Sequence, residues 1–223
     1  MQESGLPGPR GNLELAQAVA DEGNLAIFER YAALDAVQAP TNSPAEFLTV
    51  CGVIGLGRLL AEGQTELFPE LRHHANDPRW RTREGVAMAL QRLGDVDMAS
   101  LLVEMQSWAQ GNFLEQRAAV AALCEPRLLK QPEHSRTVLS ILDTITVSIQ
   151  QAADRQGEAF QALRKGMGYC WSVAVAALPD EGKSNMERWF KVPDKDIRWI
   201  MKENLKKNRL VRLDPGWVAR WNF

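Results

Sequence analysis

Cysteine and histidine are both scarce in this chain of 223 residues, with three of each. Cys51, Cys124 and Cys170 stand far apart inside apolar helical patterns, so the sequence predicts buried free thiols in a reducing compartment, not a disulfide framework. His73 and His74 are adjacent, and neighbours on a helix do not face one another, while His134 stands alone. Neither a metal site nor a cofactor is therefore expected. The glycine-containing stretch GVIGLGRL lacks the lysine and the serine or threonine of a phosphate loop. Long apolar runs are also missing: the most hydrophobic stretch, FLTVCGVIGLGRLL, carries Arg58 and three glycines, so no membrane span is expected. The N-terminus shows no basic segment leading into a signal-type apolar core, and a cytoplasmic location follows by elimination.

Charge of one sign is absent overall and present locally. A net charge of -2 gives no global pull toward nucleic acid, but Met1–Gly182 carries about -8 and Lys183–Phe223 about +6. Hydrophobic residues at 45% and charged residues at 24% are too balanced for disorder, and the length suits one domain.

What the chain does have is a recurring helical pattern. In DPRWRTREGVAMALQRLGD (Asp77–Asp95), Val86, Ala87, Ala89, Leu90 and Leu93 recur at the spacing of one buried helical face, with Asp77 as the expected cap and Pro78 in the first turn. NFLEQRAAVAALCEPRLL repeats it 34 residues later, placing Arg83 over Arg117 and Val86 over Val120. That interval fits one helical hairpin per unit, and such a unit buries its apolar face only by stacking on neighbours.

Met1–Asn12, rich in glycine and proline, reads as an extended arm, either a free tail or a segment laid across the first helices. Residues 13–223 read as a single helical-repeat domain with two atypical N-terminal helices separated by Gly23 and Asn24. Ser43-Pro44-Ala45-Glu46 is a capping box that starts a helix apolar on most of its circumference, whose Gly52, Gly55 and Gly57 imply close approach of neighbouring backbones. TITV has strand propensity but no second strand to pair with, so Pro132 opens a helix through it. Further helices are expected over Phe113–Leu129, Ala159–Leu178 and Asp194–Lys207, with Pro179–Ser184 as a loop. Trp217 and Trp221 share a face after Asp214-Pro215 and form a tryptophan-rich C-terminal cap.

The paired helices, with an arginine in the first turns and a following Val/Ala/Leu face, resemble HEAT repeats. That resemblance implies an all-α fold, a HEAT/armadillo-like right-handed α–α superhelix. LPGPRGNLEL and CGVIGLGRLL look like segments of an uncharacterised group of bacterial HEAT-like proteins. DIRWIMKENLKKN followed by DPGWVARW is similar, more distantly, to the HEAT-like DNA alkylation repair glycosylases. That likeness implies a basic face for DNA and an acidic residue beside tryptophans, but no residue matches the family's catalytic aspartate through a local motif.

The candidate binding residues are Trp80, Arg81, Arg83, Arg117, Trp171, Arg198, Trp199, Lys202 and Lys206. Arg83 and Arg117 share one repeat position, which suits hydrogen bonds or ion pairs between repeats, or else a row of guanidinium groups for phosphate or an acidic peptide. Trp80 and Arg81, with Trp171 and Trp199, offer stacking and charge together. Arg198, Lys202 and Lys206 recur every four residues as one cationic stripe, either a solvated helix face or an anion contact. Asp77, Glu84, Glu125 and Asp143 lie in or beside apolar helices, where burial, capping or ion pairing would account for them. The function expected is non-enzymatic binding or scaffolding of a protein or peptide. The alternative is nucleic-acid binding through the basic C-terminal region, with a divergent alkylated-base glycosylase as its enzymatic form.

Overall fold

The computed structural model describes residues 2–221; Met1, Asn222 and Phe223, the ends of the expected arm and cap, lie outside the described residues. The protein is all-α, with no strand among the described residues. The chain divides into two compact units, Met1–Asp97 and Met98–Phe223. Unit 1 holds α1 (Leu13–Glu22), α2 (Leu25–Ala32), α3 (Pro44–Ala61), α4 (Phe68–His74) and α5 (Trp80–Val96). Unit 2 holds α6 (Met98–Trp108), α7 (Phe113–Leu123), α8 (Pro132–Gln151), α9 (Glu158–Ala177), α10 (Pro179–Phe190), α11 (Lys195–Leu205), α12 (Asn208–Leu213) and α13 (Pro215–Arg220).

Unit 1 is built around α3. Ser43 Oγ accepts from Glu46 N at 3.2 Å and Pro44 occupies the first turn, as the capping box predicts, but Glu46 Oε2 reaches Asn42 N at 2.6 Å, one residue beyond the cap. The helix is buried from Phe47 through Gly57 except at Leu48 and packs on α1, α2 and α5. Its glycines are contact points. A Cβ on Gly55 would lie 2.3 Å from the Phe28 ring, and one on Gly57 would lie 2.3 Å from Ala89 Cα in α5. One expectation needs correcting here: by length and composition α3 is apolar enough to cross a membrane. Arg58 and the glycines do not lower it below that threshold, and α1, α2 and α5 occupy its apolar faces.

A buried arginine fastens the start of α5. Arg79, 2% exposed, pairs through Nε and Nη2 with both Asp77 carboxylate oxygens at 2.9 and 2.6 Å. Its Nη1 donates to Asp35 O, Ala39 O and Thr49 Oγ1 at 3.1–3.2 Å, tying the α2–α3 connection and α3 to this turn. Asp77 thus does not cap α5 as expected: α5 starts at Trp80, and Asp77 accepts instead from the backbone and side chain of Arg79. The helix runs through Leu93, Gly94 and Asp95 to Val96.

Unit 2 is built around α9, which packs on α7, α8, α10, α11 and α12. TITV lies within the continuous helix α8, as the lack of a strand partner predicts. Three details differ from the sequence reading. α7 stops at Leu123, because Pro126 disfavours helical geometry at Glu125 and a short 3-10 turn follows. α9 begins at Glu158, one residue before the expected start, and continues unbroken through Gly166 and Gly168, where Asn204 of α11 holds it, accepting from Ser172 N and donating to Met167 O, both at 2.8 Å. Pro179–Ser184 is the first half of α10, with proline in the first turn, where its missing N–H costs nothing, and Asp180 and Glu181 beside it.

At the C-terminal end Asp214 Oδ1 accepts from Trp217 N at 2.8 Å and opens α13. Trp217 is buried, and the Phe190 ring lies 5.9 Å from it and 4.5 Å from Trp221. The Lys183 ammonium, 2.6 Å from Asp214 Oδ2, together with the Trp217 N–H holds the Asp214 carboxyl below the usual carboxylate range.

Two predictions follow from these contacts. Gly57→Ala drives a methyl into α5 and should lower stability by roughly 1–3 kcal/mol, read as the shift in urea unfolding midpoint. Because folding depresses the Asp214 pKa, its contribution is present above the unfolded value and is lost as pH falls through the folded one. The Trp217 backbone amide NMR signal should therefore hold down to about pH 4 and shift below it, and Asp214→Asn should abolish that acid step.

Candidate functional site

Unit 1 contains a cavity of about 410 Å³ bounded by the N-terminal segment, α3 and α5. Leu6, Phe47, Val50 and Met88 supply apolar wall, and Trp80, Arg81 and Arg10 supply an aromatic and cationic margin. Leu6 is buried with Phe47, Val50 and Ile54 and pins the segment before α1 onto α3. Asn12 secures the same segment from the other end. Its Oδ1 caps α1 at Leu15 N, and its Nδ2 donates to Glu3 O.

Arg81 closes this arrangement with contacts to three elements. Nη2 donates to Gly8 O at 2.8 Å, Nη1 approaches Glu46 Oε2 at 3.3 Å, and the guanidinium lies 4.4 Å from the Trp80 ring centroid. Gly8 N in turn donates to Asn42 Oδ1 at 3.0 Å, so N-terminal segment, α3 cap and α5 share one polar network. Glu46 is fully buried, and its Oε1 has no hydrogen-bond partner, nor has Arg81 Nε. Trp80 remains 47% exposed, the largest apolar side chain left open in either unit. Arg10 is exposed with no side-chain partner among the described residues. The site can therefore enclose an apolar group and offer it an indole face and a cation.

The remaining sequence candidates are dispersed. Arg83 is buried and donates through Nη1 to Asp77 O and Pro78 O at 2.7 and 3.0 Å, closing the turn before its own helix. Arg117, at the matching repeat position in unit 2, is partly exposed, so the shared register does not give a shared environment. Trp171 is wholly buried with Nε1 on Thr146 Oγ1 at 3.2 Å, and its indole offers no binding surface. Trp199 is half-buried beneath the Arg164 guanidinium, 3.8 Å from its ring centroid. Arg164 and Arg155 both pair with Asp196, at 2.7 and 3.0 Å.

Arg198, Lys202 and Lys206 are all exposed on or just after α11, as the four-residue spacing predicts. Lys206 pairs with Glu203 at 2.5 Å, which draws the Glu203 carboxyl below its usual range. Of the four carboxylates singled out, Asp77 pairs with Arg79, Glu125 with Arg127 and Asp143 with Arg188.

Chemistry of other kinds is restrained by burial. All three cysteines are buried free thiols, in line with their spacing, and burial pushes Cys51 up to about 12 and Cys124 well above its ordinary value. Burial lowers the His74 pKa against the opposing pull of Glu70. Among the described residues no group of three or more His, Cys, Asp or Glu is gathered to hold a metal ion. Glu46 was legible only as a capping residue, and Leu6, Arg10 and Phe47 carried no signal of a shared cavity.

Fold and site together define an all-α protein with an arm-walled apolar cavity and an aromatic, cationic margin. Comparison with protein-family models, curated proteins and solved structures finds no match for this chain. Arg81→Ala removes the bond to Gly8 O and the stack on Trp80. Trypsin should then cut after Arg10 several-fold faster while the melting of the helices changes little; an unchanged cleavage rate would show that Leu6 alone holds the segment.

Proposed function

We propose that this chain is a non-enzymatic, HEAT-like binding protein of the cytoplasm that receives an apolar side chain of a protein or peptide partner in the unit 1 cavity. The observation that carries this reading is the half-exposed Trp80 over an apolar cavity, with its Arg81 neighbour already held by Glu46 and Gly8. Exposed tryptophan beside arginine is the composition of an interface hot spot, where one indole contributes 2 kcal/mol or more of binding on the order of magnitude. The 34-residue recurrence of the α5 pattern in α7 supports a right-handed α–α superhelix of HEAT/armadillo type. In such an array the inner helices carry the partner-binding surface.

Selection from a displayed random-peptide library tests this. Peptides with a large apolar anchor should be enriched, and Trp80→Ala should weaken the selected peptide by about tenfold or more. An affinity indifferent to that substitution would place the partner elsewhere.

A second reading, nucleic-acid binding with a divergent alkylated-base glycosylase as its enzymatic form, draws on the exposed stripe of Arg198, Lys202 and Lys206. It predicts binding to short duplex or single-stranded DNA that weakens steeply with salt. No affinity at low ionic strength removes it, and release of a modified base is the stricter requirement for an enzyme.

A further inference from the structure

The three cysteines are not equivalent. Cys51 is fully enclosed within α3 of unit 1. Cys124 and Cys170 meet in unit 2, although the whole of α8 separates them along the chain.

One backbone oxygen fixes the pair. α7 ends at Leu123, and Cys124 N closes its last turn on Val120 O at 3.0 Å. Cys170 Sγ, within α9, lies 3.6 Å from the same oxygen and 3.2 Å from Gly166 O one turn back in its own helix. The Cys124 thiol is in hydrogen-bonding contact with Cys170, so the two sulfurs are neighbours across the packing of α7 on α9.

Neither sulfur is reactive while this contact is closed. Cys124 and Cys170 are 5% and 3% exposed. Burial raises the Cys124 pKa well above its ordinary value and Cys170 adds to the rise, against the opposing charge of Arg209. A protonated, enclosed thiol is a poor nucleophile, so an oxidant has to wait for an opening. The place of Cys124 in the fold supplies one. It follows the last residue of α7, where the helical ladder stops, and Glu125-Pro126 leads directly into a 3-10 turn. Helix ends open at lower free energy than helix interiors. Cys124 therefore meets solvent first, while Cys170, with helix on both sides, keeps its place beside the closed position.

We propose that Cys124 and Cys170 form a redox switch, in which a peroxide converts the thiol pair to an intrachain disulfide that fastens the end of α7 to α9. The Cys124 sulfur attacks the O–O bond of the peroxide and becomes a sulfenic acid, and the hydroxide released takes the thiol proton and leaves as water. Cys170 sulfur then displaces the sulfenic hydroxyl, which takes the Cys170 proton and leaves as a second water. The two sulfurs together lose two electrons, and the peroxide gains them. A dithiol reductant returns both thiols by exchange. The linked form is favoured because the bond closes the intervening loop in the unfolded chain as well. Transient bonds of this kind are the ones that occur in a reducing compartment.

The test is to treat the folded, reduced full chain with hydrogen peroxide over a range of concentrations, then unfold, alkylate and map its peptides by mass spectrometry without reduction. A linked Cys124–Cys170 peptide should be the main oxidised product, with the intact chain two hydrogens lighter and Cys51 still a free thiol. Dithiothreitol should reverse the change, and the linked chain should melt several degrees above the reduced one. Cys170→Ser, whose hydroxyl can make the same hydrogen bonds, should lose the link and accumulate a sulfenic acid at Cys124 that dimedone traps. Free thiols at both positions, overoxidation without a link, a link that forms only in urea, or no gain in melting temperature would overturn the proposal. The wild-type peptide map gives that answer even if Cys170→Ser fails to fold.

Discussion

A helix that is apolar around most of its circumference has to be enclosed, and that requirement organises unit 1. α3 has no face to give to water, so α1, α2 and α5 surround it, and the glycines at Gly55 and Gly57 bring Phe28 and α5 within contact that a methyl would prevent. Enclosure also needs the connections to be held. Arg79 does so with a guanidinium whose partners are a carboxylate, two carbonyls and a hydroxyl, so the charge is buried with all three of its nitrogens hydrogen-bonded. The side of α3 around Phe47 and Val50 is covered by the N-terminal segment together with α1 and α5, and the cavity lies where that cover is incomplete.

Unit 2 is built around α9, which keeps Gln161 and Lys165 in solvent, and it uses polar groups more freely. Asn204 is fully buried; it accepts from Ser172 N and donates to Met167 O of α9, and donates as well to Ile200 O of its own helix. Buried indoles find acceptors on neighbouring side chains: Trp171 on Thr146, Trp189 on Asp143 and Trp217 on Glu187. Against this background of matched donors and acceptors, the orphaned oxygen of Gln116 stands out by contrast, because a polar interior ordinarily leaves few such groups.

Legibility followed the range of the interaction. Ser43 as a cap, the helical state of TITV, the shared face of Trp217 and Trp221 and the burial of the cysteines were all readable, since each depends on residues within a turn or on composition. The role of Asp77 was misread because the competing partner, Arg79, sits two residues away but acquires its other bonds from Asp35, Ala39 and Thr49. Trp80 and Arg81 stood out because an indole beside a cation offers stacking and charge together, yet nothing local showed that Gly8, 73 residues distant, would receive the arginine.

The sequence by itself determined the helical class, most helix starts and which faces are apolar, because periodicity and capping act over three or four residues. Only the tertiary structure decided that Trp171 is core while Trp80 is open, that Arg83 closes its own turn while Arg117 is partly exposed, and that Leu6 and Phe47 share a cavity. The physical reason is that exposure and pairing are properties of what packs alongside, and equal positions in a repeat acquire different neighbours once each helix is enclosed.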